Sequence, residues 1–379
     1  MAVRYITVTP ITKLFKPATR AFGDIAIVGA TDNDATGPLV PVPVTNPDGV
    51  THSSQPAASP AQGKPVDDAG WFKGDLGRSV RKAFEQSPGP TVVWAVRINP
   101  APPAGANALA DALAEVGKLD VQIVTLANKG LGPAAANRAD IELLASHVST
   151  VSRTGSDGKE RIGVAMMAKD LADPAVITAN MSIDRMVMVA HRSDEDAAAA
   201  FAGTIAGYEP HISILLKQVK IGMDRLFTDS EIDTLNTARV NWLTDPTLLP
   251  GKGLFAGESY TLGADIPYID IIRTIDDVSF RLKAALIRSI GDLRVSRSGL
   301  RALISQMTAV LEPLRQREVI ESYDVFMPLL VLLDKPPATL TDAELQQINN
   351  AQNERTVQAI VSVDYAGAIH RLNITLKFV

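Results

Sequence analysis

Apolar and polar positions alternate at both ends of the chain and follow helical spacing over long stretches between them. Near the start, Val3, Tyr5, Thr7 and Thr9 alternate with Arg4, Ile6 and Val8. All but Arg4 are strand-favouring types, and Pro10 stops the run. Toward the other end, residues 356–364 read as a strand and Tyr365-Ala-Gly-Ala as a turn. Residues 370–379 then place Leu372, Ile374, Leu376 and Phe378 on one face, with Arg371, Asn373, Thr375 and Lys377 on the other. Chain ends fray unless something ties them down, so two strand-competent ends ask for partners.

Between them the pattern is mixed. Residues 24–29 predict a short buried strand, and residues 31–70, rich in Pro, Gly, Ser, Thr and Asn, a long loop or extended excursion. A helix over 76–84, a strand over 91–98, a helix over 107–116 and a strand over 119–126 follow. Further strands are expected at 161–167 and 185–190. This alternation favours an α/β fold (mixed α+β) with a partly parallel sheet and covering helices. From about residue 195 the chain is expected to be mainly helical. Residues 197–206 are Ala-rich, and 230–243 carry Ile232, Leu235, Ala238 and Trp242 on one side. Thr274 is expected to cap a helix lined by Ile275, Val278, Leu282 and Leu286. Residues 296–314 set Leu300, Leu303, Ile304, Met307, Val310, Leu311 and Leu314 at helical spacing. Thr341-Asp-Ala-Glu344 has capping-box spacing ahead of Leu345 and Ile348.

Composition narrows the picture. With 379 residues, 46% hydrophobic and 21% charged, the chain can fill two or three domains with real cores. It has no cysteine, which removes disulfides, thiolate nucleophiles, thiolate zinc sites and iron–sulfur clusters together. A net charge of −5 gives no support for nucleic-acid binding. The longest apolar stretch, Pro328-Leu-Leu-Val-Leu-Leu333, is too short to span a bilayer, and the start lacks a signal-peptide core. A soluble protein of the cytoplasm is expected. The charge is unevenly placed. Arg4, Lys13, Lys16 and Arg20 give residues 1–20 a balance of +4, and Arg371 and Lys377 give residues 365–379 a balance of +2. Removing both from the net of −5 leaves −11 on the body between them. Either this is chance, or the basic ends dock on the acidic body of another copy.

Candidate chemistry is sparse. Residues 24–37 lack the glycine spacing of a phosphate-binding loop. Asp32-Asn-Asp-Ala-Thr-Gly37 opens like a calcium loop, but its twelfth position is Pro43 where a bidentate Glu belongs. His191-Arg-Ser-Asp-Glu-Asp196 is the one concentrated ionisable cluster. A site there would need His147 or His211 nearby, and neither has ligand spacing. More simply, Ser193, Asp194 and Glu195 sit at a helix start, where acids complement the helix dipole. No cofactor is expected, and no catalytic or metal residue. Arg294, Arg297 and Arg301 are spaced three and four apart, on a helix face opposite Leu300, Leu303 and Ile304. At a helix N-terminus each positive charge costs about 0.3–1 kcal/mol at low salt, so the set either meets an external acidic partner or is a solvated face. Arg281 and Arg288, seven apart, form a weaker set.

Read in order, several segments resemble the contractile tail sheath family of phage tails, R-type bacteriocins, extracellular contractile injection systems and the type VI secretion sheath. They are Phe22-Gly-Asp-Ile-Ala-Ile-Val-Gly-Ala30, Leu76-Gly-Arg-Ser-Val-Arg-Lys-Ala-Phe84 followed by Gly89 and Val92-Val-Trp-Ala-Val-Arg97, and Ala202-Gly-Thr-Ile-Ala-Gly-Tyr-Glu-Pro210. The strongest are Tyr268-Ile-Asp-Ile-Ile-Arg-Thr-Ile-Asp-Asp277, the amphipathic helix through Leu314 and the closing strands. Order and spacing carry the likeness, which spans nearly the whole chain.

The resemblance implies a two-domain sheath fold with extended N- and C-terminal strand arms for exchange between subunits. Residues 1–22 would be the N-terminal arm, 23–254 an outer mixed α/β domain, and 255–379 an inner domain with a tube-facing helix and the C-terminal arm. The donated strands would carry Val3, Tyr5 and Thr7 at one end and Leu372, Ile374, Leu376 and Phe378 at the other. Val357, Ile360 and Val363 would mark the acceptor strand. Arg294, Arg297 and Arg301, with Arg281 and Arg288 in reserve, are the candidates for contact with an inner tube. The implied partners are the chain itself, as a helical homopolymer of hexameric rings, the inner tail tube protein, and baseplate and tail terminator or cap proteins. Nucleic acid and membrane insertion are not implied. Assembly would take place in the cytoplasm of the producing cell, in a virion tail or a released contractile particle. Two other classes stay open: a static self-assembling shell, and a soluble α/β enzyme using His191, Asp194 and His211.

Overall fold

The computed structural model describes residues 22–31, 38–46, 74–133, 135–153, 158–249 and 253–370. The expected donor strands, with Val3, Tyr5, Thr7, Leu372, Ile374, Leu376 and Phe378, lie outside the described residues. The chain divides into two compact units, which part at Asp277/Val278 and again at Ala366/Gly367.

The first unit is built on strands that are apolar at nearly every position. β1 (Ile25–Gly29), β3 (Val93–Arg97), β5 (Ile162–Met167) and β6 (Met186–Ala190) are buried along almost their whole length, as parallel strands covered on both faces must be. With β2 (Pro41–Val44), β4 (Ile123–Leu131), β7 (Gln218–Val219), β8 (Asn241–Thr244) and β9 (Leu254–Ala256), they form a sheet in the order β2-β3-β1-β4-β5-β6-β8-β9-β7. The strands from β3 to β8 in that order run parallel, and β2, β9 and β7 are antiparallel to their neighbours.

Alternate residues of β1 feed two cores. Ile25 and Ile27 join Leu76, Val80 and Ala83 of α1 (Gly74–Phe84) and the Ala-rich α4 (Ala197–Gly207). Ala26 and Val28 join Leu109 and Leu113 of α2 (Ala108–Val116), and Ile141, Leu144 and Val148 of α3 (Ala135–Arg153). The small residues of α4 let helices meet closely: a β-carbon on Gly203 would lie 2.3 Å from the Ala83 carbonyl oxygen of α1.

Several expectations need correction here. The excursion over 31–70 contains β2, an edge strand in which Pro41 and Pro43 alternate with buried Val42 and Val44. Proline is tolerated there because an edge strand has donors to spare. β4 begins at Ile123 rather than Leu119 and runs on to Leu131. Helix α3 was not foreseen, although Ile141, Leu144, Ala145 and Val148 carry helical spacing. The stretch over 230–243 is not one helix: α5 (Asp229–Thr237) ends, Arg239 turns the chain at φ 56°, and Trp242 lies in β8. Nor is the chain after residue 195 mainly helical before residue 257, since β7, β8 and β9 lie there. Thr274 does not cap; it sits inside α6 (Ile269–Leu286), donating its hydroxyl to the Asp270 carbonyl at 2.7 Å.

The second unit spans Val278–Ala366 among the described residues. It holds α7 (Arg297–Gln316), capped by Ser296; β10 (Ile320–Phe326); α8 (Pro328–Asp334); α9 (Asp342–Glu354); and β11 (Ile360–Tyr365). The capping box at Thr341 and Glu344 forms as its spacing predicts. Neither β10 nor α8 was anticipated.

Candidate assembly interface

β10 and β11 pair antiparallel as a two-stranded sheet of their own, in register from Ser322↔Asp364 to Phe326↔Ile360. The pattern of two decides which side is buried. Tyr323, Val325, Val361 and Val363 pack on a core of Val278, Leu311, Leu314, Val319 and Ile320. Ser322, Asp324, Phe326, Ile360, Ser362 and Asp364 form the outward row and are exposed. Ser322 donates its hydroxyl to Asp364 across the pair. Glu321, Asp324 and Asp364 are acids, and neither strand contains a Lys or Arg. Among the described residues no third strand lies on either edge. An open edge is a row of unpaired N–H and C=O groups and a template for another strand.

The candidate acceptor residues fall at different places. Ile360 opens β11 on the outward row at 45% exposure, Val363 faces the core, and Val357 precedes the strand, packed in a cluster with Leu300 and Met307.

Arg297 and Arg301 stand on the first turns of α7, and the structure supplies their counter-charge from within the same unit. Asp334, at the end of α8, receives Arg297 Nε at 2.8 Å and Arg301 Nη2 at 3.1 Å, and Arg297 also donates to the Leu333 carbonyl. The unfavourable placement against the helix dipole is therefore answered internally for these two. Arg294 is exposed, with a long 3.5 Å contact to the Gly291 carbonyl. Arg281 lies half-buried on α6, and Arg288 is exposed in the short 3-10 turn that follows. The sequence reading missed Ile287 and Ile290, 68% and 79% exposed beside Arg288. They continue the apolar spacing of α6 past its end.

The His191 cluster is structural. His191 Nε2 contacts the Met167 carbonyl at 2.9 Å, and burial lowers its pKa. Asp194 pairs with Lys169 at 2.7 Å, and His211 lies 3.7 Å from Glu209. Asp196, fully buried, is the residue that caps α4; its carboxylate accepts from Ala199 N, Ser79 Oγ and Asn128 N at 2.9, 2.5 and 2.7 Å. Desolvation raises its pKa against those bonds. Among the described residues no group of three or more His, Asp or Glu is arranged to hold a metal.

Two buried side chains fix points where the described chain meets its ends. Arg273 Nη2 donates to the Phe22 carbonyl at 3.0 Å and to the Tyr208 carbonyl at 2.9 Å, and burial lowers its pKa to about 10. His370, the last described residue, places Nδ1 3.1 Å from Glu258 Oε2 and Nε2 3.0 Å from Ser213 Oγ, with its ring edge-on to Tyr268 at 4.7 Å. The order Ser–His–Glu has the connectivity of a nucleophile, base and carboxylate. Here, however, Ser213 Oγ also receives Leu215 N–H at 3.2 Å, and the His370 and Glu258 side chains are only 10% and 7% exposed.

The whole chain, both units included, aligns with solved sheath structures. It covers 100% of this chain and 98% of the sheath of an extracellular contractile injection system (PVC) in the contracted state, at 15% identity and a TM-score of 0.63. Against the helical sheath of the anti-feeding prophage in the contracted state, coverage is 100% and 99%, identity 16% and TM-score 0.61. The chain has the contractile-sheath fold. A sheath tail protein from Desulfitobacterium hafniense shares the sheath fold over 86% of this chain and 93% of its own, at 12% identity and a TM-score of 0.58. No protein-family model and no curated protein matches the chain. At such identity the sheath fold is carried by the pattern of buried positions rather than by residues in common.

Proposed function

We propose that this protein is the structural, non-catalytic subunit of a contractile sheath. It polymerises helically around an inner tube in an extended, metastable state and contracts to drive the tube through a target envelope. The observation that carries the reading is the two-stranded sheet β10–β11, open on both edges among the described residues and bearing three acids and no base. The chain also holds two strand-patterned segments at its ends, with charges of +4 over residues 1–20 and +2 over 365–379. Adding basic strands to an acidic sheet edge combines backbone hydrogen bonds for affinity, alternate side chains for register and charge for steering. A head-to-tail contact that does not close gives an open helical polymer.

In this reading the donors are the strands of Val3, Tyr5 and Thr7 and of Leu372, Ile374, Leu376 and Phe378, and the acceptors are the edges of β10 and β11 around Ile360 and Val363. The unit of Val278–Ala366 serves as the inner domain and the α/β unit as the outer. Arg294, with the exposed Ile287 and Ile290, is the strongest candidate for touching the tube, because Arg297 and Arg301 are already paired with Asp334. Hexameric rings, baseplate and terminator contacts, and assembly in the cytoplasm of the producing cell follow from the same reading. No nucleotide site is proposed: the energy of contraction is stored during assembly and released as rigid bodies move into a lattice with more buried contact.

Negative-stain microscopy of the purified full chain, with and without the neighbouring tube protein, tests this directly. Hollow tubes of uniform width are expected. Deleting residues 1–9 should leave folded subunits that do not polymerise; abundant wild-type-like tubes from that deletion would sink strand exchange. Closed shells would favour a static scaffold instead.

A further inference from the structure

Two mixed patches stand exposed on the unit of Val278–Ala366, and their charges are opposite. The first is the turn between α6 and α7. Ile287 and Ile290 are the most exposed large apolar side chains of that unit among the described residues, with Arg288 and Arg294 exposed beside them. The turn is held in shape. The Ser289 hydroxyl donates to Gln306 Oε1 of α7 at 2.6 Å, and the Ser289 carbonyl accepts the N–H groups of Asp292 and Leu293. Gly291 carries the chain round at φ 94°, a region that favours glycine. A preformed surface of this kind loses little entropy when it is covered. Arg281, Lys283, Arg288 and Arg294, less Asp292, give residues 278–296 a balance of +3.

The second patch is the outward face of β10–β11, as distinct from its edges. Phe326 and Ile360 oppose each other directly across the pair, each 45% exposed, and the exposed Asp324 and Asp364 continue the row. Glu321, Asp324 and Asp364 give the two strands a balance of −3. Each patch therefore joins two apolar side chains to charge of one sign. Turn on turn would set base against base, and row on row acid against acid. Two copies are complementary only turn on row.

We infer that the α6–α7 turn of one copy docks on the outward face of β10–β11 of a second copy. Ile287 and Ile290 meet Phe326 and Ile360, and the arginines meet Asp324 and Asp364. The contact is heterologous, of the kind that builds rings and open helices rather than closed dimers, and it uses side chains instead of the backbone groups of an edge. It rests on the sheath reading above, in which the same turn touches a tube. A turn buried on a tube cannot also cover a neighbour. The docking therefore belongs to the lattice formed when no tube is held, and it gives the released turn a second partner.

The test uses the full chain without tube protein, read by pelleting and negative-stain microscopy. Two charge-reversed variants are compared: Arg288→Glu with Arg294→Glu on the turn, and Asp324→Lys with Asp364→Lys on the row. Each alone sets like charges together and should lose tube yield by about tenfold or more while melting cooperatively. Mixed in equal amounts they should recover tubes, because the reversed turn of one meets the reversed row of the other. Wild-type yield from either variant alone, or no recovery in the mixture, overturns the docking and leaves strand exchange standing. A second pair of changes keeps the answer independent of the charge reversals. The chain has no cysteine, so Ile290→Cys and Ile360→Cys in one chain should give a ladder of covalent oligomers with a short bismaleimide, against dimers at most from either change alone. Assembly of that chain without a ladder overturns the docking. Wild-type tubes that form only with tube protein present overturn it too, since no lattice then depends on the released turn. Wild type that forms no tubes under either condition counts against the sheath reading itself.

Discussion

The two sheets of this molecule treat their edges in opposite ways. The large sheet ends on β2, whose Pro41 and Pro43 cannot donate to a further strand, and on β7, only two residues long. Both are standard means of blunting an edge, and between them lie strands buried on both faces. The small sheet has strands of seven and six residues without proline, and exposure alternates along β11. An isolated pair of strands is marginal in water, so β10–β11 depends on the packing of Val361 and Val363 beneath it and gains from any strand added beside it. Among the described residues the large sheet ends on blunted edges, and the small one ends on two unblunted ones.

The sharpest way to break this contrast is by truncation. Ile27→Ala, at a position with no exposure, should cost about 3–4 kcal/mol in chemical denaturation, whereas Ile360→Ala on the outward row of β11 should cost under about 1 kcal/mol. Equal losses would mean that the small sheet is as closed as the large one.

A pH titration comes next in size. Burial, with Arg161 close by, lowers the pKa of His147 on α3 to about 4, and its Nε2 is buried without a partner. The folded state therefore prefers the neutral ring. Stability should be full above the ordinary value of 6.5 and fall as pH drops from there toward 4, by about 2 kcal/mol after allowing for the ring's partial solvent access. His147→Asn should remove that slope in melting experiments between pH 7 and 4 and leave any slope arising in the helical unit unchanged.

In that second unit, Thr341→Ala removes the hydroxyl that accepts Glu344 N–H and should cost about 1 kcal/mol. The smallest effect expected is from Arg301→Ala, an exposed pair with Asp334, at under about 0.5 kcal/mol and fading with salt. A loss of several kcal/mol there would show that the α7–α8 contact holds the unit together far more than its exposure allows.

Much of this was legible in the chain. Strands β1, β3, β5 and β6 announced themselves as continuous apolar runs, α7 by its spacing and α9 by its capping box, because those signals are local and strong. The same logic misled where two periods overlap. Ile232, Leu235, Ala238 and Trp242 fit a helical stripe, yet the backbone reverses at Arg239 and gives Trp242 to a strand paired with β6 and β9. Strand β10 escaped notice because its polar positions, Ser322, Asp324 and Glu321 beside them, dilute the apolar ones.

What the sequence determined by itself was the alternation of strand and helix, the absence of thiol chemistry and the separation of basic ends from an acidic body. These are properties of composition and local order. Tertiary structure alone decided which charges were already answered and which edges are open among the described residues. Arg297 and Arg301 meet Asp334 from more than thirty residues away, and His370 meets Glu258 from 112 residues away. Such pairings depend on how distant segments pack, and no spacing along the chain encodes them.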